Sequence, residues 1–147
     1  MISLELLKQL REETGVSISE CKKALEQSNG IKEEAKNLLK KWGKDIAGKK
    51  SGREIKNGII DSYIHPNKRV GILLELGCES DFVAMSHDFK NLAHELCLQI
   101  AAIDSDTPLL EQNWIKDESK SVKELIDECI MKVGENIAVR NSVKFKI

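Results

Sequence analysis

The chain has 147 residues, which suits one compact domain or a small module followed by a larger one. Its 23 basic and 24 acidic side chains give a net charge of -1, which excludes a basic surface over the whole chain for nucleic acid. The charge is uneven, because residues 1–56 carry 13 basic and 9 acidic side chains whereas residues 57–147 carry 10 and 15. This asymmetry indicates two modules.

Three short helices are predicted at the N-terminus. Ser3 can cap the first helix, and a Ser17-x-x-Glu20 capping box starts the second. The third begins near residue 31 and is predicted to end at Gly43. These helices are expected to form a small module of their own.

A basic segment follows these helices. Residues 40–56 hold seven basic and two acidic side chains, and Gly48, Ser51 and Gly52 are expected to break any helix there. The segment is interpreted as a solvated linker, helical in part, in preference to the alternative of a direct contact with nucleic acid. The predicted domains are a three-helix module at 1–43, a basic linker at 44–56 and a core domain at 57–147.

The core domain begins with a predicted antiparallel hairpin. Residues 58–65 and the strongly apolar residues 70–78 are typical of strands, and Pro66 begins the turn between them. Ser86 can cap a following helix, and a loop is expected from Asp104 to Leu110.

The C-terminal part predicts one more helix and one more strand. Ser121-x-x-Glu124 is a capping box, and Gly134 can end its helix. Residues 137–147 alternate between apolar and polar side chains, which is typical of a strand. The expected fold class is α+β, with a small three-stranded antiparallel sheet and helices on one face.

The pattern indicates no enzyme and no cofactor. His65, His87 and His94 lack metal-ligand spacing, and neither a glycine-rich phosphate loop nor a nucleophile motif is present. Asp81 is the one candidate general base, and nothing in the sequence supplies a second catalytic group.

The four cysteines form no C-x-x-C pair and are predicted to be buried hydrophobes in a reducing compartment. No window approaches the ~20 apolar residues of a membrane span, and the N-terminus does not resemble a secretory signal. A soluble intracellular protein without membrane contact is expected.

The most informative stretch is Cys-Glu-Ser-Asp-Phe-Val at residues 78–83, directly after the apolar strand. It places Asp81 beside Phe82 at a turn between a strand and a helix. Two interpretations stay open on this pattern: Phe82 folds under the next helix, or Phe82 is a wedge that a protein partner covers.

Six blocks of the sequence resemble the translation elongation factor Ts family. The fifth is similar to the family signature Thr-Asp-Phe-Val, and the blocks lie in order along nearly the whole chain. They are Leu-Arg-Glu-Glu-Thr-Gly at 10–15, Cys-Lys-Lys-Ala-Leu at 21–25, Tyr-Ile-His at 63–65, Arg-Val-Gly-Ile-Leu-Leu-Glu-Leu at 69–76, Ser-Asp-Phe-Val at 80–83 and Gly-Glu-Asn-Ile-Ala-Val-Arg at 134–140.

The resemblance implies an N-terminal module of the ubiquitin-associated type and a guanine-nucleotide exchange factor that releases GDP from elongation factor Tu. Residues Ser80, Asp81, Phe82 and Val83 then correspond to the element that inserts into the partner's GTPase domain and displaces Mg²⁺. In the same matching Lys22 meets the GTPase domain from the N-terminal module, whereas the neighbouring lysine is solvated.

The resemblance also implies a homodimer, because only one copy of the core half is present. The host compartment is then a bacterial cytoplasm or an organellar stroma or matrix. The rival hypothesis is a non-catalytic adaptor of the ubiquitin-associated type. Three departures from the family pattern stand out: Ser80 replaces threonine, Asn141-Ser142 replaces a basic and an aromatic or aliphatic residue, and a long helical segment between Ala102 and Leu109 is nearly absent.

Overall fold

The computed structural model describes residues 2–147 and contains six α-helices, a three-stranded antiparallel sheet and a two-stranded hairpin. The α+β class and the small sheet predicted from the sequence are confirmed. In chain order the elements are α1 (Leu4–Thr14), α2 (Ile18–Gln27), α3 (Lys32–Lys50), β1 (Asn57–Ile64), β2 (Val70–Cys78), α4 (Asp81–Ala84), α5 (His87–Ala102), a short 3-10 helix (Leu109–Glu111), β3 (Asn113–Trp114), β4 (Asp117–Ser121), α6 (Val122–Val133) and β5 (Ala138–Lys146).

Local capping sets the ends of most helices. The side chains of Ser3, Ser17, Ser86 and Ser121 each accept a hydrogen bond from the first turn of the helix that they precede. Ser121 also forms the full reciprocal capping box with the helix residue three positions on. These contacts involve near neighbours in sequence, so the pattern alone was enough to predict the helix starts.

The end predicted for the third helix is wrong. Instead of stopping at Gly43, α3 continues to Lys50. A Cβ added at Gly43 would lie 3.8 Å from the Met131 sulfur of α6, so the bare glycine faces α6 at close range. Farther along, Ala47 is buried in the core that α6 also lines. Packing against α6 therefore outweighs the low helix propensity of glycine.

The basic segment is not simply solvated, because several of its side chains contact the core domain. Lys40 lies 3.2 Å from a carboxylate oxygen of Glu124, and the Lys50 ammonium donates to the Gly134 carbonyl oxygen at 2.9 Å. The segment from α3 to β1 is thus held against α6 and its C-terminal end. The division of the chain into domains at residues 43 and 57 stays a prediction.

Two apolar clusters form the interior. The smaller cluster is enclosed by α1, α2 and α3, and the larger one lies between the sheet, α5 and α6. All four cysteines are buried and unoxidised, as the sequence predicted. Desolvation raises the thiol pKa of Cys97 to about 11 and that of Cys129 to about 12, which keeps both thiols protonated at neutral pH.

The three-stranded sheet has the order β1-β2-β5, with β2 in the centre. Ile72, Leu74 and Leu76 of β2 are buried on the face that α5 and α6 cover. The opposite face, called here the outer sheet face, is not covered by any of the helices described within residues 2–147. Its exposed apolar residues are Ile60, Ile64, Leu73, Val143 and Phe145, with Ile147 just beyond β5.

The connection between α5 and α6 contains structure that the sequence did not predict. A 3-10 helix and the β3–β4 hairpin occupy residues 109–121. Gln99, fully buried in α5, holds this segment: its amide nitrogen donates to the Asn113 carbonyl, and its oxygen accepts from the Ile115 amide, at 3.0 and 2.9 Å. The hairpin is short and polar, so it lacks the alternation by which strands are recognised.

Candidate functional site

Residues 80–83, called here the 80–83 turn, follow the central strand after one residue, Glu79. The strand β2 ends at Cys78, and the one-turn helix α4 begins at Asp81. Ser80 is the N-cap of α4, since its hydroxyl oxygen accepts a hydrogen bond from the Val83 amide at 3.2 Å. The sequence predicted a turn here, and the structure shows a capped helical turn with a defined orientation.

The 80–83 turn presents its two halves to different surroundings. Val83 and the next residue, Ala84, are buried in the main core, whereas Asp81 and Phe82 face solvent. Phe82 is 86% exposed, so the interpretation in which it packs under the following helix is wrong. The buried half anchors the turn, and the exposed half is free to contact another molecule.

An exposed aromatic ring at this position is not explained by the fold. By contrast Phe89, at the start of α5, is fully buried. Met85, three residues after Phe82, is also exposed and extends the apolar surface on the same side of the short helix. Exposed apolar groups on a held turn are typical of a protein-binding site.

The carboxylate of Glu135 holds the beginning of the turn through three hydrogen bonds. One oxygen accepts from the backbone amides of Glu79 and Ser80, at 3.1 and 2.9 Å. The other accepts from the Ser80 hydroxyl at 2.6 Å. Bonds to an ionised acceptor are short and strong, so Glu135 fixes both the backbone and the capping hydroxyl of Ser80.

Glu79 links the same turn to two further segments. One of its carboxylate oxygens lies 2.9 Å from the Arg53 guanidinium, and the other accepts from the Asn136 backbone amide at 2.6 Å. Its carbonyl oxygen accepts from the side-chain amide of Asn57 at 3.0 Å. The turn is therefore tied to the segment between α3 and β1 and to the corner between α6 and β5.

Cys78 completes the support on the buried side. Its thiol donates to the Ser80 carbonyl oxygen at 3.2 Å. Desolvation raises the pKa of this thiol, and the nearby negative charge of Glu135 raises it further. The thiol thus stays neutral and keeps its proton for this hydrogen bond.

Lys22, the second candidate contact, lies on α2 and is exposed. Within residues 2–147 its ammonium has no ion-pair partner within 4 Å, and neither does that of Lys23. The structure therefore does not distinguish the two lysines. It also places Lys22 on a different element from the 80–83 turn, where Lys22, Asn29 and Gly30 help to line a surface depression.

His65 lies at the end of β1 away from the 80–83 turn, and its ring forms a hydrogen bond with the Tyr63 hydroxyl at 2.9 Å. Residues 2–147 bring no three potential metal ligands together, and none of their helices is long and apolar enough to cross a bilayer. The arrangement suits contact with a macromolecule.

Sequence reasoning singled out Ser80, Asp81, Phe82 and Val83 as candidates but did not identify Glu135, which holds the start of their turn. The only signal for it was the Gly-Glu-Asn-Ile block at residues 134–137, which the family resemblance quoted without a role. Its contacts join residues 55 and 56 positions apart, and no local pattern reports such a pairing.

Comparison with known proteins gives one consistent result. The family model described as "Elongation factor TS" matches residues 3–104 and 79–147. A protein named elongation factor Ts from Thermotoga maritima is 39% identical over 191 residues, which cover 99% of this chain and 96% of the relative. Those of Thermoanaerobacter sp. (strain X514) and Coprothermobacter proteolyticus are 37% and 38% identical over 193 residues, covering 99% of this chain and 95% and 98% of the relatives.

Proposed function

The chain belongs to the elongation factor Ts family, and we propose that it acts as a guanine-nucleotide exchange factor for elongation factor Tu. The 80–83 turn inserts into the partner's GTPase domain, where Phe82 wedges between partner side chains and Asp81 approaches a partner helix. The bound Mg²⁺ is displaced and GDP leaves. The observation that carries the proposal is the exposed ring of Phe82 on a turn whose other half is buried and hydrogen-bonded.

The physical requirement for exchange is differential binding. The factor must bind the nucleotide-free partner more tightly than the GDP-bound partner, and by linkage GDP then weakens binding of the factor by the same ratio. Displacing Mg²⁺ removes the charge that holds the β-phosphate. This work requires no bond-making group in the factor.

A rigid aromatic side chain is well suited to this task. Phe82 brings a large contact area with few rotatable bonds, so little side-chain entropy is lost when a partner covers it. The backbone beneath it is already ordered by Glu135 and by the buried Val83. Binding energy is then available for distorting the partner instead of ordering the loop.

Lys22 is proposed as a second contact with the GTPase domain. Its exposed and unpaired ammonium supplies a charge without first breaking an ion pair in the free chain. Such a contact at a distance from the 80–83 turn would fix the orientation of the factor, while Phe82 and Asp81 act on the nucleotide site.

A homodimer formed through the outer sheet face is also proposed. Leu73 of β2 lies directly across from Val143 of β5, and Gly71 lies across from Phe145, so exposed apolar side chains form one continuous surface. A cavity of about 440 Å³ opens on this face. A second copy would cover the surface by packing sheet on sheet.

The rival adaptor hypothesis differs in one measurable respect. An adaptor binds elongation factor Tu without changing the rate at which GDP leaves, whereas an exchange factor accelerates that step. Location follows the partner under either hypothesis, in a bacterial cytoplasm or an organellar stroma or matrix. Neither nucleic acid nor a membrane is proposed as a partner.

The decisive experiment is stopped-flow fluorescence of labelled GDP leaving elongation factor Tu. The partner is loaded with the fluorescent nucleotide and mixed with excess unlabelled GDP, with and without the chain. Acceleration that rises with chain concentration and saturates is the expected result. Tight complex formation with an unchanged release rate would favour the adaptor.

A further inference from the structure

Glu135 is the only side chain that accepts hydrogen bonds from both backbone amides and from the hydroxyl at the start of the 80–83 turn, within the described residues 2–147. We propose that Glu135 is a positioning residue for nucleotide exchange: its carboxylate fixes the direction in which Asp81 and Phe82 project, without touching the partner. The inference rests on the proposed exchange function and assigns a further residue to it.

Glu135 is itself held rigidly. It follows Gly134, which adopts a left-handed conformation with φ of 76° and whose amide donates to the Ile130 carbonyl at 2.8 Å, ending α6. The next residue, Asn136, is buried and donates through its side chain to the Arg53 carbonyl oxygen at 2.9 Å. The carboxylate therefore reaches the turn from a fixed corner.

The bonds that Glu135 accepts act on the two features that set the direction of α4. The Ser80 hydroxyl donates to Glu135 and accepts from the Val83 amide, so the carboxylate fixes the rotamer that caps the helix. The hydrogen bond from the Ser80 amide to Glu135 fixes the backbone one residue before Asp81. Loss of the carboxylate would leave α4 anchored by Val83 but free to change the angle at which Phe82 projects.

Glu79 does not replace this function. Its carboxylate ties the residue to Arg53 and to the Asn136 amide, whereas the Ser80 amide and hydroxyl donate to Glu135. Removal of Glu135 would thus leave the amides of residues 79 and 80 and the Ser80 hydroxyl without an acceptor, although the rest of the network could persist.

The kinetic test compares Glu135→Ala and Glu135→Gln with a control, Glu128→Ala. Glu128 lies on α6 and pairs with Lys120 at 2.8 Å, away from the contacts of the turn. Stopped-flow release of labelled GDP is measured at increasing chain concentration. Glu135→Ala is expected to lower the saturating rate by about tenfold or more, whereas the control stays within about twofold. The glutamine variant keeps one carbonyl acceptor and should retain a larger part of the rate.

A double-mutant cycle separates positioning from a loss of folded protein. Glu135→Ala is combined with Asp81→Ala and Phe82→Ala, which remove the side chains that Glu135 is proposed to direct. If Glu135 acts through them, it should change the saturating rate of this background by no more than about twofold. An equal fold-loss in both backgrounds would overturn the proposal.

Amide hydrogen exchange by NMR on the free chain supplies a readout that needs no partner. In Glu135→Ala the amides of Glu79 and Ser80 should exchange about tenfold faster or more, while that of Leu74 in β2 keeps its rate. Unchanged exchange at residues 79 and 80, or an equal rise at all three positions, would overturn the proposal. A wild-type chain that shows this protection yet never accelerates GDP release would refute the exchange function instead, and the exchange rates would still decide whether Glu135 holds the turn.

Discussion

Replacing Phe82 with alanine separates a partner-binding role from a structural one. Phe82 is 86% exposed, so about a seventh of its surface contacts the rest of the chain. For a side chain of about 200 Å² this is roughly 30 Å², or about 0.7 kcal/mol at ~25 cal/mol per Å². The free energy of unfolding should therefore fall by less than about 1 kcal/mol, and Tm by roughly 2–4 °C at most.

The effect on exchange should be much larger. If the partner covers most of the ring, the contact is worth up to about 4 kcal/mol on the same scale, before the costs of distorting the partner are subtracted. A remainder of ~1.4 kcal/mol in the exchange transition state already corresponds to a tenfold change in rate. Phe82→Ala should therefore slow stimulated GDP release by about tenfold or more, and Asp81→Ala should act in the same direction.

Both quantities are measured on the same preparation, by thermal unfolding and by stopped-flow GDP release. Phe89→Ala serves as the matched contrast, because Phe89 is fully buried and its truncation should cost ~3–5 kcal/mol of stability. A large fall in Tm for Phe82→Ala, with normal exchange per folded molecule, would refute the reasoning. So would unchanged stability together with an unchanged release rate.

Three further predictions concern the dimer, the third helix and the acid limit of stability. Leu73→Asp puts a charge on the outer sheet face at a residue that is 52% exposed, so it should dissociate the dimer, as measured by sedimentation, with little change in Tm. A wild-type chain that sediments as a monomer of 16.5 kDa and has full exchange activity would contradict the dimer. Gly43→Ala should raise Tm by ~2–4 °C, since the nearest atoms to the added methyl group lie at 3.8 and 3.9 Å and alanine favours a continuous helix by up to ~1 kcal/mol. A fall in Tm would show that the methyl group does not fit between α3 and α6 without strain. Hydrogen bonds from Lys144 and Lys146 hold the pKa of Asp104 at about 2, below its usual 3.8, so the stability that Asp104 contributes is present above pH ~4 and is lost as the pH falls through the folded pKa. The free energy of unfolding in urea should therefore depend less on pH between about 2 and 4 in Asp104→Asn than in the unchanged chain. An identical pH dependence in the two proteins would refute the lowered pKa of Asp104.

The starts of the helices could be predicted from the sequence because capping is local. A serine and the amide that it caps lie three positions apart, so Ser86 and Ser121 predicted the starts of their helices without any long-range information. The central strand was equally clear, since the apolar run at residues 70–78 is too short and too continuous for a surface helix. These signals need no knowledge of the rest of the fold.

The errors lie where distant residues meet. Gly43 resembled a helix stop, because its contact with α6 involves residues about 85 positions away. The polar strand β4 gave no strand signal, because the buried side chain of Gln99, rather than its own pattern, holds the hairpin. The candidate turn itself was predicted, while the fate of Phe82 was open until the structure showed Val83 buried and the ring outside.

The short form of this chain bears on how the 80–83 turn is supported. The alignment with the Thermoanaerobacter relative spans 193 residues and this chain has 147, so at least 46 aligned positions have no counterpart here. The first family match ends at residue 104, beside the break that the sequence predicted between Ala102 and Leu109. Contacts with β5 hold the chain at that break, because the Lys144 ammonium donates to the Ile100 carbonyl and to the Asp104 carboxylate, at 2.9 and 2.7 Å.

The support of the 80–83 turn draws on other parts of the fold. It comes from Glu135 after α6, from Arg53 and Asn57 before β1, and from the buried Val83. None of these lies between α5 and the 3-10 helix, so the shortening removes none of the contacts that support the 80–83 turn. If the chain exchanges nucleotide as proposed, any loss that the missing segment causes should appear in the affinity for the partner or for a second copy. The saturating rate of GDP release, which the proposal assigns to Phe82 and its support, should be preserved.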